Sequence, residues 1–186
     1  MYGYEDNLAL SLQYAKRVLD IENRDSRVLA KAKLIIARSD LEYGNYARSH
    51  NLCNDIIELT ANDDGSEAMY MKIYFKYIDE EYNQAEQLIF SMVERFSSHY
   101  WIAKSFILLS DIYVKLDNKY QAKATLESVI ENYDGSDLVN EARLKWEKII
   151  ENERELKTEK VIEINNYSDY EINYSDLEIN LEYDQE

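Results

Sequence analysis

Apolar residues recur at three- and four-residue spacings almost without interruption from Leu8 to Ile150, and strict alternation is nearly absent over that stretch. This is the period of an α-helix, which returns side chains to one face about every 3.6 residues. A chain of 186 residues with no proline and only four glycines has little with which to break the pattern. Gly44, Gly65 and Gly135 fall between apolar-periodic runs, where helices are expected to stop. An all-α fold is expected.

The helices recur as pairs. Ser26, Ser66, Ser98 and Ser136 each precede an apolar run, as N-caps whose hydroxyls would accept from unpaired first-turn N–H groups. They are 40, 32 and 38 residues apart, which points to stacked two-helix repeats rather than a compact bundle. Aligning Gly44–Ser49, Glu80–Ala85 and Asp117–Ala122 places Ser49, Ala85 and Ala122 36 and 37 residues apart. Four, seven and eight positions after each stand larger apolar residues: Cys53, Ile56 and Ile57; Ile89, Met92 and Val93; Leu126, Val129 and Ile130. A small side chain lets the second helix of a hairpin approach the first, and the larger ones fill the seam.

These segments resemble the tetratricopeptide repeat family, in which a helix with large, large, small and aromatic residues precedes Gly-Asp-Tyr-x-x-Ala at the start of a second helix. The third copy matches through Phe106, Leu109, Ser110, Tyr113, Ala122 and Leu126, and the first through Ile36, Ala37, Gly44 and Tyr46. In the second, Lys72 and Ile73 stand where a large apolar and a small residue are expected, and the family's proline at the end of the second helix is missing throughout. The match covers residues 26–133, with an earlier helix expected over 7–22 and a closing helix over 136–157. The run 101–133 is similar to the C-terminal end of large exported tetratricopeptide proteins of Gram-negative bacteria. The resemblance implies a right-handed solenoid of helical hairpins with a C-terminal capping helix, a cell-envelope scaffold role, and a periplasmic or outer-membrane-associated location.

Charge and composition exclude other classes. With 37 Asp+Glu against 21 Lys+Arg the chain carries −16, which repels phosphate backbones and anionic lipid, so neither nucleic acid nor a membrane surface is an expected partner. No apolar run reaches about 18 residues, and Met1 to Leu12 carries acids where a signal peptide has cations. Neither membrane insertion nor an export signal is expected. One cysteine, Cys53, and two histidines, His50 and His99, cannot build a structural zinc site or an intrachain disulfide. The glycines are too scattered for any phosphate-cradling or nucleophile loop. Asn62-Asp63-Asp64-Gly65 hints at a calcium loop, but its register puts Thr60 at the first ligand and Met71 where a bidentate Glu is required. Cys53 lies three residues after His50, yet at a core position, where a thiol is an inert small hydrophobe. No enzyme, cofactor or metal is expected.

A binding surface is expected instead. In the tetratricopeptide fold the first helix of each hairpin lines the concave face through its second, fifth, ninth and twelfth residues. Carried over, this implies Lys31, Leu34, Arg38 and Leu41, then Glu67, Tyr70, Tyr74 and Tyr77, then Lys104, Ile107, Asp111 and Val114. The partner-binding groove is thereby a tyrosine stripe with cations at its flanks: Lys31, Arg38, Tyr70, Tyr74, Tyr77, Lys104, Ile107 and Asp111. Ile107 and Asp111 replace the residues that clamp a terminal carboxylate in some family members. The competing reading packs the three tyrosines in the core, because their helix is apolar nearly all round. Trp146 is expected to cover the exposed face of the last repeat.

Composition shifts at Thr158, after which nine acids stand against Lys160 alone. Two units are expected: a tetratricopeptide-like domain over 5–157 and an acidic, Tyr/Ile-rich tail over 158–186, extended or disordered. A heptapeptide is duplicated in the tail, as 166–172 and 173–179. Tyr174, Leu177, Ile179, Leu181 and Tyr183 are its expected partner contacts, added as a strand to a sheet edge. The function expected is a non-catalytic scaffold for a protein partner, whether peptide, helix or sheet edge, with the tail as second docking segment. Two alternatives stand beside it: the tail as an intramolecular plug against Lys31, Arg38 and Lys104, or the chain as the architectural end of a longer array.

Overall fold

The computed structural model describes residues 2–22 and 24–168, and within them every regular element is a helix. These are α1 (Tyr2–Leu19), α2 (Ser26–Glu42), α3 (Tyr46–Leu59), α4 (Asp63–Ile78), α5 (Tyr82–Arg95), α6 (His99–Lys115), α7 (Lys119–Asn132) and α8 (Ser136–Ser168). Two compact units are present, residues 1–147 and residues 148–186. The described part of the second is a continuation of α8, in which Arg154 and Glu151 pair one turn apart at 3.7 Å. The shift in composition at Thr158 therefore does not end the helix: residues 158–168 are helical, not extended. Tyr174, Leu177, Ile179, Leu181 and Tyr183 lie outside the described residues.

Three turns in the first unit share one geometry. Gly44 (φ 78°), Glu80 (φ 59°) and Asp117 (φ 55°) each follow a first helix in left-handed conformation. The next amide reaches back five residues: Asn45 N–H to the Asp40 carbonyl at 2.7 Å, Glu81 to Lys76 at 2.9 Å, and Asn118 to Tyr113 at 2.8 Å. This closure satisfies carbonyls a helix end leaves unpaired. Its recurrence at the 36- and 37-residue spacing pairs α2 with α3, α4 with α5 and α6 with α7. The second helices end at Thr60, Phe96 and Tyr133, all extended, so the missing proline is not needed to stop them.

Ser49, Ala85 and Ala122 are each fully buried, as a close-approach role requires. Cys53, Ile56, Ile89, Met92 and Leu126 below them are also fully buried, whereas Val93 turns outward at 45% exposure. The seam continues through Leu34, Ile36, Ile73, Leu109 and Ile112 on the first helices. α1 packs on α2 through Leu12, Ala15, Val18 and Leu19 against Ala32, Ile35 and Ile36.

The capping expectations need correction. Ser98 holds an N-cap position but makes no side-chain cap bond. The cap of α2 is Asp25, whose carboxylate accepts from the Arg27 N–H at 2.8 Å, and Ser26 is the first helical residue. The cap of α4 is Asn62, which accepts from Asp64 and Gly65 N–H groups, so the sequence that hinted at a calcium loop is a helix start. Ser66 and Gly65 therefore lie inside α4, and Ser136 is the first residue of α8. Asp and Asn are as good at this position as Ser, and the carboxylate one residue before Ser26 and the amide four residues before Ser66 take the bonds.

Candidate functional site

The first helices α2, α4 and α6 are neighbours, α4 touching both of the others. On α4, Tyr70, Tyr74 and Tyr77 stand at i, i+4 and i+7, which puts them on one face. All three are half-buried, between the core and groove readings. The Tyr70 ring lies 5.3 Å from Trp101 of α6, and Trp101 meets Tyr100 edge-on at 5.0 Å. Tyr74 and Tyr77 are 6.3 Å apart, and Tyr77 continues to Tyr82 at the start of α5 at 6.0 Å. Such ring separations fall within the favourable range for offset and edge-to-face pairs.

Lys104, one turn after Tyr100 and Trp101, points its ammonium into three ring faces. The Nζ atom is 5.5 Å from the Tyr70 centroid, 5.7 Å from Tyr100 and 5.4 Å from Trp101. Each face offers the negative lobe of its quadrupole to the cation. Beside this cluster lies a recess of about 470 Å³ lined by Leu41, Tyr46, Tyr70, Tyr74 and Ile78.

Two other charges expected in the groove, Arg38 and Asp111, are engaged. Arg38 donates through Nε and Nη2 to both carboxylate oxygens of Glu67, itself buried, joining α2 to α4. Asp111 accepts from Lys145 Nζ through both oxygens, each at 2.8 Å. Burial pushes the Tyr70 phenol up to about 12, helped by Glu141, Tyr74, Asp111 and Tyr100. Tyr77 is raised by burial first and then by Asp111, Tyr82 and Tyr74. Both phenols remain neutral hydrogen-bond donors at physiological pH.

A stability effect at high pH follows from Tyr70 and from Tyr113. The Tyr113 hydroxyl donates to Glu86 at 2.5 Å, and its phenol is also pushed up to about 12, by burial first and then by Glu86. A phenol raised in the folded chain loses its proton first when unfolded, so stability is intact below pH 10 and falls between 10 and about 12. The urea midpoint of Tyr70→Phe is expected to drop less over that window than that of the parent chain. Identical drops would remove Tyr70 from the effect.

Of the residues expected in the groove, Tyr70 of α4 meets α6 through Trp101 and Lys104, Tyr74 and Tyr77 follow it on the same face of α4, and Arg38 and Asp111 are held in ion pairs. Lys31 is exposed on the first turns of α2 and joins none of these groups by a hydrogen bond or ion pair among the described residues. Ile107 is corrected: it is only 2% exposed and belongs to the core, like Leu34 at the equivalent position at 1%. α6 packs against α4, α5 and α7, and the short aliphatic side chain at this position is covered, whereas the longer Tyr70 at the equivalent position of α4 stays half-buried. Tyr82 and Tyr100 were not expected. The signal available for Tyr100 was its spacing of four residues from Lys104, which shares a helix face.

Trp146 is half-buried and donates through Nε1 to Glu127 at 2.9 Å, tying α8 to α7 within the first unit. Cys53 is fully buried with Sγ 4.0 Å from the Met71 sulfur, and burial pushes its thiol up to about 12. His50 packs on Phe75 at 5.8 Å and is lowered by burial first and then by Lys72 and Lys76. A raised thiol and a His turned to another ring do not make a nucleophile pair. Among the described residues no cluster of three or more His, Cys, Asp or Glu could hold a metal ion, and no helix is long and apolar enough to cross a membrane.

The fold defines an all-α, tetratricopeptide-like helical repeat. No protein-family model matches the chain, and no curated protein does. Among solved structures, the crystal structure of MamA is similar to it, with a TM-score of 0.52 at 16% identity, covering 83% of this chain and 94% of that one. At this identity the likeness concerns the fold alone.

Proposed function

We propose that this chain is a non-catalytic protein–protein interaction scaffold whose recognition surface is the aromatic face of α4 and α6. The partner is a protein segment, as a peptide or helix, lying across the first helices. The observation that carries this reading is the run of half-buried rings, Trp101–Tyr70 between the adjacent first helices and Tyr74–Tyr77–Tyr82 from α4 to the start of α5, beside the recess of about 470 Å³. Rings already held by neighbours lose little freedom on binding, and each brings apolar area with a polar tip, which is why Tyr and Trp dominate interface anchors.

The finer parts of the reading are supported by the sequence resemblance and the duplicated heptapeptide. They are a right-handed solenoid, a place in a cell-envelope assembly, and a second docking segment formed by Tyr174, Leu177, Ile179, Leu181 and Tyr183.

The test is a displayed peptide library selected on the full chain. Enriched peptides are expected to lose about 2 kcal/mol, roughly 30-fold in affinity, on Tyr74→Ala, the scale of an interface hot spot. Peptides that bind that variant as well as the parent chain would place recognition elsewhere.

A further inference from the structure

We infer that the segment taken by this face is basic: a peptide or helix that sets an arginine or lysine over the rings of Tyr74, Tyr77 and Tyr82. The inference rests on the docking reading above and names the chemistry of its partner. Four observations on separate scales carry it.

The first is Lys104. Its ammonium sits 5.4 to 5.7 Å from three ring centroids, so the neighbouring rings of Tyr70, Tyr100 and Trp101 already receive a cation on their π-surfaces. The second is the neighbouring ring set. Tyr74, Tyr77 and Tyr82 are spaced 6.3 and 6.0 Å apart with interplanar angles of 32° and 53°, so neighbouring rings are tilted to one another instead of stacking flat. A guanidinium or ammonium suits such an arrangement better than an alkyl chain, because only the cation gains from the quadrupole.

The third is the local field. After burial, the carboxylates of Glu141 and Asp111 make phenolate harder to form at Tyr70, and that of Asp111 does so at Tyr77 even with Lys145 held on it. A further anion at these phenols would meet the same opposition. The fourth is long-range. Residues 1–147 hold 25 Asp+Glu against 17 Lys+Arg, and the whole chain carries −16, so a basic segment is steered toward it and an acidic one is repelled.

The experiment uses the full chain and four synthetic peptides followed by calorimetry. Three are helical peptides of one length and apolar pattern that carry arginine, norleucine or glutamate at the test positions. The fourth is the acidic sequence 169–186 of this chain. The arginine peptide is expected to bind on the order of tenfold more tightly than the norleucine peptide, the scale of one partly desolvated cation–π contact. Tyr77→Leu should abolish that preference, and Tyr77→Phe, which keeps the ring, should retain it. Tyr82→Leu at the start of α5 gives a second readout if Tyr77→Leu fails to fold.

Equal binding of arginine and norleucine peptides would overturn the basic partner and leave the docking surface standing. Preference for glutamate or for the 169–186 peptide would overturn it in favour of an acidic occupant. Arginine-peptide binding that survives both leucine variants would be charge attraction without a ring site, and the inference would fall. Self-association of the chain that disappears in Tyr77→Leu would assign the face to a second copy instead. Binding of none of the peptides to the face would sink the docking reading together with the inference.

Discussion

Ile73→Ala is expected to lower the free energy of unfolding by about 2–5 kcal/mol, the usual cost of emptying a fully buried aliphatic site. The substitution would restore the small residue that the tetratricopeptide pattern has here, where Ala37 and Ser110 stand in the neighbouring repeats. On pattern alone it should therefore be neutral or favourable. In the structure Ile73 has no exposed surface, and Met69, Met71 and Phe75 of the same helix are buried around its position. The second repeat has thus been filled with a larger side chain, and truncating it leaves a cavity that its packed neighbours cannot fully close. Urea unfolding of the two chains measures the difference. A midpoint unchanged or raised in Ile73→Ala would mean that α4 packs in another register.

Gly65→Ala is the second substitution with a large expected effect, and its sign runs against the local rule. Within a helix, Ala is favoured over Gly by roughly 0.5–1 kcal/mol, through backbone entropy. Gly65 lies in the first turn of α4, where an added Cβ would meet the Thr60 carbonyl oxygen at 2.2 Å and the Phe96 ring at 3.1 Å. The first contact is with backbone at the end of α3, which cannot swing aside as a side chain can. Overpacking of this kind costs about 1–3 kcal/mol or more, so a net loss is expected despite the gain in propensity. Gly44→Ala supplies the comparison: its φ of 78° strains any side chain, but nothing lies within 4 Å of the added atom. It should cost about 1 kcal/mol, from conformation alone. Thermal or urea unfolding that ranks Gly44→Ala as the more damaging of the two would refute the close α3–α4 approach.

The helices and their pairing were legible because both depend on short spacings. Ser49, Ala85 and Ala122 could be placed in a seam from the larger residues four and seven positions on, and all three are buried. Helix starts were less legible. Residue type points to Ser26, Ser66, Ser98 and Ser136 as caps, but the cap bond depends on where the chain bends, and Asp25 and Asn62 hold it for α2 and α4. The end of α8 is equally hidden, because the acid-rich composition after Thr158 reads as a change of structure while the helix runs on to Ser168.

For the candidate site, Tyr70, Tyr74 and Tyr77 were visible as one face of one helix, and Lys104 as its flanking cation. Their states were not. Whether Ile107 faced the groove or the core depended on three neighbours of α6 that no spacing within α6 encodes. Whether Arg38 offered its charge to a partner depended on Glu67, 29 residues away in sequence and bidentate to it in space.

The residue order alone determined the helical period, the hairpin repeat and the positions of close approach, since an α-helix fixes the relative direction of side chains three to eight residues apart. Only the tertiary structure decided which aromatic rings meet, which charges neutralise each other, and that Lys104 rests among Tyr70, Tyr100 and Trp101. Those outcomes turn on distances between helices, which are set by the summed packing of many buried side chains rather than by any local spacing.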